Sequence, residues 1–247
     1  MEPIKYVEHI TAEYAKEIAH SISNTDVFRT DVDSPEKPCT SQELVTMPVD
    51  SVNAAFMNSG RGKVCILNFA SYKQPGGGFL KGMMAQEEAL CSVSTLYPVL
   101  AEFGRTYYSW NQKNLNKGMY TNAALYSPDI LFFASDGRAE KFDVLTCAAP
   151  NISSGKRYGT VSEMENSAYL CSRIKFMYDV ASKKKVDTLI LGAWGCGVFK
   201  QDPHEVARLL CHYGKESSVR RLVFAIPDVT SRNYKAFIEV FDEEASI

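Results

Sequence analysis

The chain has no apolar run approaching the roughly 18–20 residues that span a bilayer, no Cys-x-x-Cys pair and no excess of positive charge. Each absence closes off a class. Without a spanning segment, and with Met1-Glu-Pro-Ile-Lys-Tyr6 unlike a signal peptide, the sequence argues against a membrane protein and against export. Lysine and arginine number 27 against 29 acids, a net charge of -2. That balance is wrong for tracking a long nucleic acid, which demands basic stretches. The seven cysteines, Cys39, Cys65, Cys91, Cys147, Cys171, Cys196 and Cys211, stand singly. An odd, unpaired set fits reduced packing thiols in the cytoplasm and argues against a zinc site. The four histidines, His9, His20, His204 and His212, are too dispersed to suggest a metal centre. Three nucleotide and hydrolase motifs are also missing. Gly195-Cys-Gly-Val-Phe-Lys200 has lysine where G-x-G-x-x-G needs its third glycine. Gly77 to Gly82 has the P-loop spacing, but Met83 stands where lysine belongs. No G-x-S-x-G elbow occurs.

What is present is an ordinary globular mix, 247 residues with 45% hydrophobic and 23% charged, enough for one sizeable core and a small extension. Thr11 to about Ser23 has helical periodicity with Thr11 as N-cap, and Thr25 to Thr46 reads as loop with a short extended piece. A boundary near Asn58 separates this extension, residues 1–57, from a core of residues 58–247. The core alternates. Val64–Ala70, Ile130–Ala134, Phe142–Ala148, Val186–Ala193 and Arg221–Ile226 read as strands, several of them apolar throughout as for strands buried on both faces. Glu87–Phe103, Ser162–Lys183, Asp202–His212 and Arg232–Phe241 read as helices, with Asp202 as N-cap and Pro203 at the first helical position. Strands separated by helices predict an α/β sandwich with a largely parallel central sheet. Ligands in such sheets sit beyond the carboxyl ends of the strands.

Both glycine clusters fall at such ends. Gly192-Ala-Trp-Gly-Cys-Gly-Val-Phe199 follows one predicted strand and precedes the capped helix. Bare backbone there lets N–H groups close on an anion, so the loop is a candidate diphosphate cradle, with a glycine-rich turn that only reverses the chain as the alternative. Gly76-Gly77-Gly78 follows another strand, and seven residues later Gln86-Glu87-Glu88 opens a helix. Acids in a first helical turn commonly just complement the helix dipole. That does not account for three consecutive glycines beside them. Tyr107-Tyr108 and Trp110, near Asn111 and Asn114, suit either an adenine pocket or core packing.

Asn68-Phe-Ala-Ser, Pro75-Gly-Gly-Gly-Phe79 and Gln86-Glu-Glu-Ala-Leu-Cys-Ser-Val-Ser-Thr-Leu-Tyr97 together resemble the signature of microbial-type poly(ADP-ribose) glycohydrolases, and Gly192 to Pro203 resembles the diphosphate loop of the same family. The resemblance runs from about Asn58 to Phe241, with residues 1–57 only loosely similar. It implies a macrodomain-like three-layer α/β/α sandwich with a mixed, largely parallel sheet and an N-terminal helical extension. It implies hydrolysis of the ribose–ribose bond of poly(ADP-ribose), mainly from the chain end, and the chain is further expected to be a cytoplasmic monomer without metal or cofactor. Glycosidic cleavage needs a carboxylic acid at the leaving oxygen, and the resemblance assigns that role to Glu88, which then serves as base toward water. Glu87, turned about 100° away on the helix, is expected to orient ribose hydroxyls. Asn68 and Gln86 are expected to hydrogen-bond the sugar or the acids, and Gly76, Gly77 and Gly78 to admit the distal ribose. Gly195, Cys196, Gly197, Val198 and Phe199 are expected to hold the diphosphate, with Phe199 stacking on ribose or adenine. Two alternatives stand beside this: hydrolysis of mono-ADP-ribose from protein or nucleic acid, and a non-catalytic ADP-ribose reader.

Overall fold

A computed structural model describes residues 2–30, 32–33, 37–157 and 161–245. The loop expected over 25–46 includes residues 31 and 34–36, which lie outside the described residues. The seven strands are β1 (Asp26–Arg29), β2 (Glu43–Met47), β3 (Val64–Phe69), β4 (Ala123–Phe133), β5 (Ala139–Cys147), β6 (Thr188–Leu191) and β7 (Arg221–Ala225). They form one sheet in the order β1-β4-β5-β3-β6-β7-β2. β4 runs antiparallel to both its neighbours, and every other pairing is parallel. The sheet is therefore mixed and largely parallel, as expected.

The helices are α1 (Pro3–Glu13), α2 (Ala15–Asn24), α3 (Ser51–Met57), α4 (Gln86–Ser92), α5 (Leu96–Glu102), α6 (Ser109–Lys113), α7 (Ile152–Arg157), α8 (Glu163–Lys183), α9 (Pro203–Lys215) and α10 (Arg232–Ala245). The core is split by the sheet. Ile66 of β3 packs with Ile18, Ala54, Leu90 and Leu96, from α2, α3, α4 and α5. Cys65 and Leu67, on the opposite face, pack with Leu170, Val206 and Phe237 from α8, α9 and α10. Both faces of β3 are thus buried, which is why its sequence is apolar without alternation.

Three expectations about local structure are corrected. The first helix begins at Pro3, which suits a first helical position, and Thr11 lies inside it; the chain bends at Tyr14 (φ -113°) before α2. The helix expected over Glu87–Phe103 is two helices. A continuous one would put Pro98 in its interior, where no N–H is available for Ser94 O. Instead α5 starts at Leu96, Pro98 falls in its first turn, and Ser94 O accepts from the Tyr6 hydroxyl at 3.2 Å. The segment read as loop supplies both edge strands: β1 pairs with β4 and β2 with β7. The expected extension of residues 1–57 is therefore continuous with the core sheet. Among the described residues no helix is long and apolar enough to cross a membrane.

Candidate active site

The strand ends of β3, β5, β6 and β7 open onto one cleft of about 790 Å³, walled by residues of both glycine clusters. On its β3 side the chain leaves the sheet at Phe69 and doubles back through the glycines. Gly76 (φ +65°) and Gly77 (φ +57°) adopt the left-handed backbone that glycine alone takes without strain. Gly77 has a second constraint: a Cβ there would lie 2.6 Å from Glu88 Oε1 and 3.0 Å from Glu87 Oε2. The bare backbone is what lets both carboxyl groups reach this point. Gly78 N–H then donates to Glu88 Oε1 at 2.8 Å.

α4 presents the acids. Its N-cap, Ala85, has no side-chain acceptor, but Glu88 at the third helical position reaches back, and its Oε2 accepts from Ala85 N–H at 3.2 Å. This is half of a capping box. Glu88 is thus held by two backbone N–H groups, one from the glycine turn and one from the helix start. Glu87 turns toward the sheet. Its Oε1 accepts from Asn68 Nδ2 at 3.2 Å and its Oε2 from Ser71 N–H at 2.6 Å. Burial pushes the Glu87 carboxyl up to about 8; the Ser71 and Asn68 hydrogen bonds oppose the shift, and the neighbouring Glu88 charge adds to it. Two adjacent carboxyls therefore sit in different donor sets.

Asn68 hydrogen-bonds Glu87. It is fully buried, donates from Nδ2 to both Glu87 and Thr146 Oγ1, its register partner on β5, and leaves Oδ1 without a partner. Gln86 bonds to the neighbouring elements. Its Nε2 donates to Leu67 O at 2.9 Å and Ser51 Oγ at 3.1 Å, and its Oε1 accepts from Phe69 N–H at 2.9 Å. The amide donors are spent on tying α4 to β3 and to α3, so Gln86 braces this wall of the cleft.

The second loop, after β6, is shaped by its own brace. Gly195 (φ +78°) packs so closely that a Cβ would lie 2.8 Å from Ala149 Cβ. Gln201, buried behind it, exchanges two amide hydrogen bonds with Asn166, at 2.8 and 2.9 Å, and donates to Pro150 O. Trp194 is buried, with Nε1 donating to Cys147 O at 3.0 Å. Among the described residues the N–H groups of Gly197, Val198 and Phe199 donate to no protein acceptor, and all three residues wall the cleft. Cys196 is the exception within the loop. Its side chain packs into the core beside α9 and α10, and burial pushes the thiol up to about 12. Only its backbone belongs to the loop.

Sequence reading missed an aromatic wall. Tyr72 and Tyr120 stack with ring centres 4.0 Å apart and planes within 10°, and Phe199 meets Tyr120 edge-on at 6.2 Å. Tyr120 has φ +61°, unusual for a bulky residue. The buried guanidinium of Arg173 holds it there. Arg173 donates to Met119 O, to Asn122 Oδ1 and to Ala148 O, so it staples the segment around Tyr120 to the end of β5. All three acceptors are neutral, and burial lowers the Arg173 pKa. No motif marks Tyr120; Gly118 (φ +90°), two residues earlier, is the nearest sequence signal. Tyr107 and Tyr108 belong to the core, and Trp110 lies under the Arg29 guanidinium at 4.7 Å, so none of the three lines the cleft. Among the described residues no cluster of histidine, cysteine and acids could hold a metal ion.

The model of the microbial-type PARG catalytic domain, that of poly(ADP-ribose) glycohydrolases, matches residues 4–135, more than half of the chain. The chain belongs to this family, and it is a glycosidase of the poly(ADP-ribose) glycohydrolase class. The match starts at residue 4, so the N-terminal segment expected to be only loosely similar lies inside it. Solved structures extend the likeness across the second loop. Poly(ADP-ribose) glycohydrolase from Thermomonospora curvata is 26% identical with a TM-score of 0.78, covering 92% of this chain and 89% of that one. The same enzyme bound to the inhibitor ADP-HPD is 29% identical with a TM-score of 0.77, over 91% and 88%. The enzyme from Deinococcus radiodurans in complex with ADP-ribose is 28% identical with a TM-score of 0.79, over 92% and 97%. No curated protein matches the chain.

Proposed function

We propose that the chain removes ADP-ribose from the end of poly(ADP-ribose), with Glu88 as general acid and then general base. The observation that carries this reading is the Gly78–Glu88 hydrogen bond at 2.8 Å, which places a carboxyl on a bare glycine turn facing a cleft. The free amides of Gly197, Val198 and Phe199 in the same cleft suit a diphosphate. A cleft of about 790 Å³ has room for one ADP-ribose unit. In the first step the protonated Glu88 gives its proton to the leaving oxygen as the bond to the ribose anomeric carbon breaks, leaving an oxocarbenium-like centre. Water then adds to that carbon and returns a proton to the Glu88 carboxylate. One water is consumed and the acid is regenerated. Glu87 and its Asn68 and Ser71 donors position the ribose hydroxyls. Every group comes from one chain, which suits a monomer, and the seven free cysteines suit the reducing cytoplasm.

The test is product release from auto-modified polymer and from mono-modified protein. Wild-type protein is expected to release ADP-ribose from the polymer. Glu88→Gln is expected to lose nearly all turnover while keeping ADP-ribose affinity within a few-fold. Binding without turnover of either substrate would reduce the chain to a reader. One observation favours a second assignment: the carboxyl raised to about 8 is Glu87, as a proton donor requires. If Glu87 were the acid, Glu87→Gln would be the dead variant and Glu88→Gln would retain measurable turnover.

A further inference from the structure

The seven residues between the glycines and Gln86 do more than connect them. Phe79–Lys81 form one 3₁₀ turn, and the segment turns Leu80, Met83 and Met84 outward, 42%, 55% and 78% exposed. Among the described residues eight large apolar side chains are this exposed, and three of them fall within these five residues. Met83 lies directly over the glycine turn: a Cβ on Gly78 would be 2.3 Å from its Sδ. It therefore stands one residue's width from the amide that holds Glu88. Lys73 and Lys81 share this rim of the cleft, both exposed. Among the described residues neither forms an ion pair. The free amides of the second loop, after β6, line the same cleft but belong to a separate segment.

We infer that the Lys73–Lys81–Met83 rim binds the leaving unit of the polymer, the ADP-ribose next to the one being released. This rests on the function proposed above. When the bond breaks, the leaving oxygen is the 2′-oxygen of an adenosine. Its adenine therefore lies one sugar away from Glu88, and its diphosphate lies just beyond. An exposed, polarisable methionine beside Glu88 suits the flat face of the base. Two unpaired lysines further out suit two phosphates. The released ADP-ribose needs none of these groups, because its own diphosphate is served by the second loop. The rim therefore acts on what leaves, and it favours polymer over a single ADP-ribose on a small leaving group.

The experiment compares wild type, Met83→Ser and the Lys73→Ala/Lys81→Ala double variant on polymer and on 4-nitrophenyl-ADP-ribose, with ADP-ribose affinity measured by calorimetry. The lysines are exposed, so the double variant folds. On polymer, each variant is expected to lose about tenfold in kcat/KM, mainly through KM, the scale of one base-stacking or phosphate contact. The double variant is also expected to flatten the salt dependence. On the nitrophenyl substrate kcat/KM stays within twofold of wild type, as does ADP-ribose affinity. Equal losses on both substrates, or no loss on polymer, would overturn the rim assignment while leaving the glycohydrolase reading in place. Wild-type protein that turns over neither substrate would instead refute the function on which the assignment rests.

Discussion

Glu87→Gln separates the two acids by stability alone, without substrate. In the folded protein the Glu87 carboxyl stands at about 8, against 4.5 for an ordinary glutamate. Its folded value is the higher one, so the native state holds an extra proton across that window. Stability is then fullest below pH 4.5, falls as pH rises toward 8 and levels off above it. The slope is about 1.4 kcal/mol per pH unit, which amounts to about 3 kcal/mol by pH 7. The glutamine variant cannot ionise and escapes this loss. Its substitution cost is small and independent of pH. The amide oxygen keeps the Ser71 N–H, and the amide nitrogen meets Asn68, whose partnerless Oδ1 can turn to accept it. The same turn of Asn68 accepts the proton of wild-type Glu87.

Urea denaturation at closely spaced pH values from 5 to 9 reads this directly, provided the m-values of the two proteins agree. The variant is expected to gain on wild type steadily from pH 5 to about 8, whatever its offset at pH 5. Parallel curves would mean that Glu87 ionises normally, and that burial against α4 and β3 is outweighed by its donors. The contrast drawn between the surroundings of Glu87 and Glu88 would then lose its physical basis.

Other perturbations act on the braces of the site. Gly77→Ala forces a Cβ into Glu88 Oε1 at φ +57°; turnover is expected to drop at least 100-fold, with about 1–2 kcal/mol lost in denaturation. Gln201→Leu removes the paired amide behind the second loop; it is expected to cost about 2–4 kcal/mol by leaving Asn166 and Pro150 O unpaired, and to weaken ADP-ribose binding in calorimetry. Arg173→Met leaves three carbonyl acceptors unmet and frees Tyr120 from its strained backbone; ADP-ribose affinity is expected to fall more than tenfold, with unchanged affinity counting against the staple.

The sequence exposed the fold where one force dominates. β3, β6 and β7 are apolar because both faces are buried, and α8 and α9 begin at Ser162 and Asp202, which cap them. It hid the fold where tertiary pairing dominates. β1 and β2 are edge strands of four and five residues with half-exposed side chains, and nothing local distinguishes them from loop. The site divides the same way. Gly77, Gly195 and the acids were legible because close backbone approach demands glycine and glycosidic chemistry demands carboxyls. The bracing bonds of Gln86 to the backbone of β3 and to Ser51 were not legible, because such partners leave no local mark in sequence. Tyr72, Tyr120 and Arg173 come together only through the ends of β3, β4 and β5.

The pair of acids shows why two neighbours in sequence need not share a role. One helical step turns their side chains about 100° apart, and that turn selects different surroundings. Glu87 faces the sheet, where Asn68 is buried under it and water is excluded, and its charged form is disfavoured. Glu88 faces the glycine turn, where two backbone N–H groups meet its oxygens at the edge of the cleft. At neutral pH the Glu87 side of the site therefore stays uncharged before an anionic substrate arrives. The proton retained by Glu87 removes one negative charge from the place where an anionic diphosphate substrate would sit. The glycines make this possible, since any side chain at Gly77 would push the two carboxyls out of the place where their environments differ.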